Sequence, residues 1–305
     1  MERFGGPEVV TMVEAPEPDP PARHVRIRVA AAALNPIDLS TRAGRLVDAG
    51  LMSPAGQVGL GWDVAGHVDA TGPGVRRLAV GDAVVGLRDL LFAPGTHADL
   101  VVLHEDAVAP APRTVDLAAA ATLPLNGLTA DGALRRAALR PGQAVLVTGA
   151  SGGVGGFAVQ LAAAHGLDVV ALARPGDEER VRGLGADAVV TAAAQLGTDV
   201  RAVHPAGVDA VIDAAVVGID AHGALRDGGA FVALVRPFAP PPVRGTRVVV
   251  HEVWADGARL TELAALVDFG VLTLRVAATV PLAEAGVAHE RLDAGGVPGR
   301  LVLVP

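Results

Sequence analysis

The chain has 305 residues, of which 51% are hydrophobic and 19% are charged, and its formal net charge is −8. This composition indicates a globular protein of about two domains, and the acidic balance gives no basic surface for nucleic acid. Because no apolar run is long enough to span a membrane and no secretory signal is visible, we expect a cytoplasmic protein without membrane or nucleic-acid partners.

Three residue types that carry chemistry are absent: cysteine, tyrosine and lysine. Their absence excludes disulfides, thiolate zinc sites, phenolic proton donors and lysine Schiff bases. Cysteine catalysis, pyridoxal phosphate chemistry and the Ser-Tyr-Lys reductase mechanism are therefore excluded as well.

Short strands with alternating or apolar residues, separated by glycine and proline, dominate the first third of the chain. The predicted strands cover residues 25–29, 64–68, 83–87 and 98–103. This region is predicted to be β-rich.

From residue 144 onward, apolar strands alternate with helical segments, which is typical of βαβ units and a parallel sheet. The predicted strands cover residues 144–148, 168–173, 188–190, 208–213, 230–235 and 247–253. Helices are predicted at 155–165, at 178–184, around 260–267 and at 281–292, and a last strand at 301–304. The predicted fold class is thus α/β, with a doubly wound parallel sheet of the Rossmann type.

A glycine-rich turn, VLVTGASGGVG, joins the strand at 144–148 to the following helix. Glycines in this context let the backbone approach a pyrophosphate, and the new helix offers free N–H groups. We predict that the turn binds a dinucleotide through Gly149, Ala150, Ser151, Gly152, Gly153, Val154 and Gly155. The alternative is a turn with a purely structural role.

The end of the next strand predicts which dinucleotide is bound. An acid there binds the ribose 2′-OH of NAD, whereas an arginine accommodates the 2′-phosphate of NADP. Arg174 follows this strand without an acid at the same position, since Asp177 falls later in the loop, and Arg180 is placed for a second contact. We therefore predict NADP(H) as the cofactor; the alternative is that Arg174 is a solvated surface residue.

Several further motifs follow in a fixed order along nearly the whole chain. They lie at residues 4–9, 33–38, 61–68, 80–84, 123–130, 184–187, 211–213 and 294–300. With the glycine turn, they make the sequence similar to the zinc-independent quinone oxidoreductase branch of the medium-chain dehydrogenase/reductase superfamily.

The resemblance implies a β-rich, GroES-like catalytic domain formed by residues 1–116 and 251–305, with a Rossmann domain at 117–250. It implies NADPH-dependent hydride transfer to a quinone or an α,β-unsaturated carbonyl. It also implies a homodimer formed through the edge of the Rossmann sheet, near residues 247–253.

The resemblance also assigns roles to individual residues. Zinc-dependent relatives have cysteine where Asn35 stands and a His-Glu pair where Trp62 and Asp63 stand, so we expect no metal. Asn126, Thr129 and Arg300 are expected to contact the cofactor.

We expect the substrate to lie against Asn35 and Trp62 in the cleft between the domains. Asn35 would donate a hydrogen bond to the oxygen that becomes negative, and Asp38 would belong to the same catalytic site, where it orients the loop. Alternatively, Asn35 and Pro36 only start a turn, and Trp62 is a core residue.

Two further interpretations stay open. One is a stand-alone enoyl reductase or tailoring reductase of a secondary-metabolite pathway, which performs the same hydride delivery. The other is an NADPH-binding sensor or scaffold with little catalysis, suggested by the missing tyrosine and by a short segment before the first Gly-Gly-Pro turn.

Overall fold

The computed structural model describes residues 1–53, 57–89, 94–191 and 194–305. They form two compact units: residues Met1–Leu125 together with Trp254–Pro305, and residues Asn126–Val253. The predicted domain boundaries differ from this division, because they place residues 117–125 and 251–253 in the opposite unit.

The N-terminal part of the first unit is β-rich. Its strands are β1 (His24–Ala33), β2 (Asp63–Thr71), β3 (Ala83–Leu87), β4 (Leu100–His104) and β5 (Val108–Pro110). Its helices are short: α1 (Pro36–Arg42), α2 (Arg45–Asp48) and α3 (Leu117–Ala120). The alternation that predicts β1 arises because Val25, Ile27 and Val29 are buried.

The second unit contains the βαβ series. Helix α4 (Pro124–Ala137) leads into strands β6 (Ala144–Thr148), β7 (Asp168–Leu172), β8 (Ala188–Val190), β9 (Val208–Asp213), β10 (Leu225–Ala233) and β11 (Arg247–Val250). The connecting helices are α5 (Gly153–Ala164), α6 (Glu178–Gly183), α7 (Leu196–Val203) and α8 (Ile219–His222).

All pairings in this six-stranded sheet are parallel, and the strand order is β11-β10-β9-β6-β7-β8. Its core consists of apolar residues from the strand centres, including Leu146, Val170, Val211 and Phe231. The strand order reverses between β6 and β9, and ligands of such sheets bind at the carboxyl ends of the strands at this point.

The C-terminal part of the chain completes the first unit with α9 (Gly257–Asp268), β12 (Val276–Pro281), α10 (Ala285–Asp293) and β13 (Arg300–Val304). Strand β13 pairs antiparallel with β1 and parallel with β12. The sheet order is therefore β12-β13-β1-β2-β3-β5, with β4 also paired to β1.

The predicted fold class, a Rossmann sheet with a β-rich GroES-like domain, is confirmed. Most predicted elements differ from the observed ones in their limits, and three differences lie in the second half of the chain. Strand β10 begins at Leu225 and ends at Ala233, β11 ends at Val250, and the helix predicted from residue 281 begins at Ala285 because Pro281 still belongs to β12. No helix among the described residues is both long and apolar enough to cross a membrane.

Candidate functional site

The glycine turn lies at the carboxyl end of β6, beside the point where the strand order reverses. Gly149 has a φ of +65°, which favours glycine. A Cβ at Gly155 would overlap the carbonyl group of Gly149, so only glycine lets α5 pack this closely on the turn. Ala150 is fully buried beneath the turn.

Helix α5 begins without a capping hydrogen bond from a side chain. Its N-cap is Gly152, which has no side chain. The N–H groups of Gly153, Val154 and Gly155 belong to the first turn of the helix, where no preceding helical carbonyl is available. The start of a 12-residue helix of this kind offers N–H groups and a positive dipole end to an anionic group.

Four polar residues beside the turn form what we call the turn cluster: Ser151, Arg174, Asp177 and Arg180. The Ser151 Oγ accepts from the Arg174 backbone N–H at 2.9 Å, and Arg180 Nη2 donates to the Ser151 carbonyl at 3.3 Å. The two predicted cofactor-binding arginines are thus brought together at Ser151.

Although Asp177 falls later in the loop than Arg174, the structure brings its carboxylate to both arginines. Asp177 Oδ2 is 3.3 Å from Arg174 Nε, and Asp177 Oδ1 is 3.1 Å from Arg180 Nη2. The loop after β7 turns back, so an acid three positions later in the sequence pairs with both guanidinium groups. Burial alone would raise the pKa of Asp177, but hydrogen bonds from Ser151 and Arg180 outweigh it and lower this pKa.

The loop after β9 lies on the other side of the glycine turn, since Ala214 and Ala215 are the nearest neighbours of Gly149 across the turn. Asp213 is buried and accepts from Thr148 Oγ1 at 2.7 Å and from the N–H groups of Val217 and Gly218 at 3.0 and 2.8 Å. Asp213 therefore joins the carboxyl ends of β6 and β9.

Between these anchored positions, Val216 has a φ of +59°. This left-handed conformation is strained for a β-branched residue and costs on the order of 1–3 kcal/mol. Sequence reasoning included Asp213 in the motif at residues 211–213 but gave it no role, although an aspartate that closes a strand at this edge of the sheet is a usable signal.

Asn126 and Thr129 lie in the first two turns of α4. Asn126 is buried and Thr129 is partly buried. Their expected contact with the cofactor stays a prediction.

In the first unit, Asn35 and Asp38 form a reciprocal cap at the start of α1. Asp38 is fully buried, and its two carboxylate oxygens accept from the N–H groups of Asn35 at 2.9 Å and Gly61 at 3.0 Å. Burial raises the pKa of Asp38, while the nearby His97 acts in the opposite direction. Asp38 thus holds together the two loops that carry residues 35 and 61.

The Asn35 amide is also buried. Its Nδ2 donates to Asp63 Oδ2 at 2.7 Å, and a longer contact of 3.3 Å joins it to the Ala33 carbonyl. The two positions at which the resemblance implies other residues in zinc-dependent relatives are therefore connected here by a direct hydrogen bond.

Sequence reasoning considered Asp63 only as a replaced ligand and gave it no contacts of its own. Its Oδ1 accepts from the Leu125 N–H at 2.6 Å, and the Arg300 guanidinium favours its charged form. Burial nevertheless raises the pKa of Asp63 to about 7.

Arg300, which was expected to contact the cofactor, lies at the start of β13 and acts electrostatically on Asp63 and Asp38. We call Asn35, Asp38, Asp63, Arg88 and Arg300 the buried cluster. Its guanidinium groups lie near its two carboxyls, which offsets part of the cost of burying these groups.

Trp62 is buried, with 7% of its surface exposed, and the Arg88 guanidinium lies 6.0 Å from the centre of its ring. Its expected contact with a substrate stays a prediction. Nearby, the rings of His97 and His289 meet edge to face at 6.1 Å. Within the described ranges, no group of three or more His, Cys, Asp or Glu residues is arranged to hold a metal ion.

Comparisons with known proteins match both ends of the chain to family models. Residues 21–113 match the alcohol dehydrogenase GroES-like domain, and residues 184–303 match the family described as zinc-binding dehydrogenase.

Three curated relatives cover almost the whole chain. It is 32% identical to the 2-methylene-furan-3-one reductase of Solanum lycopersicum over 94% of its own length and 73% of the relative. It is 33% identical to the chloroplastic NADPH-dependent alkenal/one oxidoreductase of Arabidopsis thaliana, over 92% of this chain and 72% of that protein. It is 34% identical to the spectinabilin polyketide synthase system protein NorB of Streptomyces orinoci, over 98% of this chain but 14% of that protein.

Solved structures agree with these relatives. The quinone oxidoreductase of Coxiella burnetii superposes with a TM-score of 0.86 at 30% identity, covering 100% of this chain and 97% of that one. A mycobacterial protein whose structure was solved in complex with NADPH superposes with a TM-score of 0.85 at 29% identity, covering 100% and 98%. The chain belongs to the medium-chain dehydrogenase/reductase superfamily and is an oxidoreductase related to its quinone and alkenal/one reductases.

Proposed function

We propose that this protein is an NADPH-dependent reductase of quinones or α,β-unsaturated carbonyls that works without zinc. The observation that carries the proposal is the glycine turn, where Gly155 packs on Gly149 and α5 starts without a side-chain cap beside two arginines. The NADPH named for the Arabidopsis relative and for the mycobacterial structure supports the same cofactor.

The residues present fit a bound dinucleotide. The first turn of α5 would hold the pyrophosphate, and Arg174 and Arg180 would hold a 2′-phosphate through paired N–H donors. Asn126 and Thr129 are proposed to contact the nicotinamide end. When bound, the cofactor supplies a hydride to a carbon conjugated with the substrate carbonyl.

Hydride delivery leaves negative charge on the carbonyl oxygen, and we propose that the Asn35 amide donates to it. The 3.3 Å contact from Asn35 Nδ2 to the Ala33 carbonyl is long for a hydrogen bond. We therefore propose that the N–H group in this contact donates to the substrate oxygen instead of to the Ala33 carbonyl. The 2.7 Å bond to Asp63 would keep the amide in place meanwhile. Trp62 is proposed to face the flat substrate ring.

Two observations support a reaction without zinc. The chain has no cysteine, and Asn35 and Asp63, at two positions where the resemblance implies other residues in zinc-dependent relatives, are hydrogen-bonded to each other. Elemental analysis of active, chelator-treated protein tests this point. Stoichiometric zinc that is lost together with activity would contradict it.

A panel of quinones, alkenals and enones, followed by NADPH oxidation, tests the activity itself. On the best substrate, Asn35→Ala is expected to lower kcat at least several-fold, since losing an engaged oxyanion donor costs about 100-fold. Full kcat in Asn35→Ala would instead assign the oxyanion to backbone N–H groups. Tight NADPH binding without turnover on any substrate would favour the sensor or scaffold interpretation.

A second candidate function is supported by the match to a polyketide synthase protein over 98% of this chain. It is enoyl reduction in a secondary-metabolite pathway. Because the chemical step is the same, a thioester enone in the panel distinguishes it: clear preference for the thioester over free enones and quinones would favour this candidate.

We also propose a homodimer formed at β11. Among the described residues this strand pairs only with β10, and Val248, Val249 and Val250 are partly exposed along it. Unpaired strand edges of this kind are open to pairing with another chain. Light scattering at micromolar concentration measures the oligomeric state, and a monomer would contradict the proposal.

A further inference from the structure

We propose that Asp177 is a specificity-determining residue that limits how strongly this protein prefers NADPH over NADH. The inference rests on the proposed cofactor and concerns one residue of the turn cluster. Asp177 is the carboxylate between the two arginines that would bind the 2′-phosphate.

Asp177 occupies donors on both arginines. One of its oxygens faces Arg174 Nε at 3.3 Å, and the other faces Arg180 Nε at 3.2 Å and Nη2 at 3.1 Å. A 2′-phosphate that binds these guanidinium groups has to take donors from Asp177 and approach its negative charge. Asp177 therefore weakens the binding of NADPH relative to two unpaired arginines.

The same carboxylate favours NADH. An acid about 20 residues after the glycine turn accepts the ribose 2′-OH in NAD-binding domains of this fold. Asp177 stands close to this distance along the chain, and it is held beside the turn by Ser151. With 50% of the Arg174 side chain and 20% of the Asp177 side chain exposed, the cluster remains accessible to a ligand.

The neighbouring acid Glu178 provides a matched control. Its Oε2 accepts from the Gly176 N–H at 2.7 Å, and no described contact joins it to Arg174 or Arg180. Glu178→Gln removes the same charge from the same loop while leaving the pairing of both arginines intact.

The experiment titrates wild type and variants with NADPH and NADH by fluorescence and compares the ratio of Kd for NADH to Kd for NADPH. Asp177→Asn is expected to raise this ratio about tenfold, because NADPH would bind more tightly and NADH more weakly. Arg174→Ala is expected to lower the ratio about tenfold, and Glu178→Gln to change it less than about twofold. Thermal unfolding of each variant shows that the fold is retained.

A ratio in Asp177→Asn within about twofold of wild type, or one shifted toward NADH, would overturn the inference while leaving the proposed function intact. A Glu178→Gln shift as large as that of Asp177→Asn would also overturn it, since net charge would then suffice. If wild type binds neither cofactor, the proposed function fails and the inference fails with it.

Discussion

The two units of this protein each contain a cluster of paired charges, but one cluster is buried and the other is partly exposed to solvent. In the buried cluster, burial raises the pKa of both Asp38 and Asp63. In the turn cluster, the pKa of Asp177 is lowered, because its oxygens accept hydrogen bonds while water still reaches the site. The carboxyls of the first cluster are therefore enclosed by the fold, whereas the charged groups of the second remain partly exposed to solvent.

The sharpest test of this contrast is the removal of one carboxyl from each cluster. Asp63→Ala is expected to lower the free energy of unfolding by about 3–5 kcal/mol, since it removes a buried carboxylate that accepts from the Asn35 amide and the Leu125 N–H and that acts on Arg300. Asp177→Ala is expected to cost less than about 1 kcal/mol, because its pairs are partly solvated. Urea denaturation measures both.

Equal losses in the free energy of unfolding of the two variants would contradict the contrast between the two clusters. A loss below 1 kcal/mol for Asp63→Ala would mean that water or a rearranged side chain replaces the carboxylate.

In the second unit, close backbone packing, rather than charge, is expected to stabilise the site. Gly155→Ala places a methyl group against the Gly149 carbonyl, so we expect a loss of about 1–3 kcal/mol and weaker NADPH binding. Gly183→Ala, at the end of α6, meets no atom within 4 Å and is expected to change stability by less than about 1 kcal/mol. Thermal unfolding and NADPH titration of the pair separate packing from helix propensity. Unchanged binding in Gly155→Ala would contradict the role given to the turn.

These two clusters also mark how far sequence reasoning reaches. The glycine turn and the arginines follow from local patterns, because strand, turn and helix are adjacent in the chain. Asp177 was expected in the loop after β7, where it lies, but its pairing with the two arginines was not expected, since it depends on how that loop turns back. The contacts of Asp63 were missed because its partners, Asn35, Leu125 and Arg300, are far apart in the sequence and meet only in the folded sheet.

A third prediction extends the contrast to histidine. His289 is fully buried on α10 among His97, Arg42 and Asp293, and burial, with help from His97 and Arg42, lowers its pKa to about 3 from 6.5. Between these values the unfolded chain binds a proton that the folded chain does not. Stability from this group is therefore present above pH 6.5 and is lost as the pH falls toward 3.

His289→Leu is expected to remove this dependence. Between pH 8 and pH 5, the free energy of unfolding of wild type should fall by on the order of 1–2 kcal/mol more than that of the variant. Urea denaturation at the two pH values measures the difference. Parallel losses in both proteins would show that His289 becomes charged in the folded state without cost.

The strained Val216 has a consequence for the thermodynamics of binding. Its left-handed backbone is held by the bonds from Val217 and Gly218 to the Asp213 carboxylate, so the loop beside the glycine turn is restricted to one arrangement before any ligand arrives. The conformational entropy of this loop is lost during folding instead of at the moment of association. If the proposed cofactor binds beside this loop, we expect little of its binding free energy to be spent on ordering that segment.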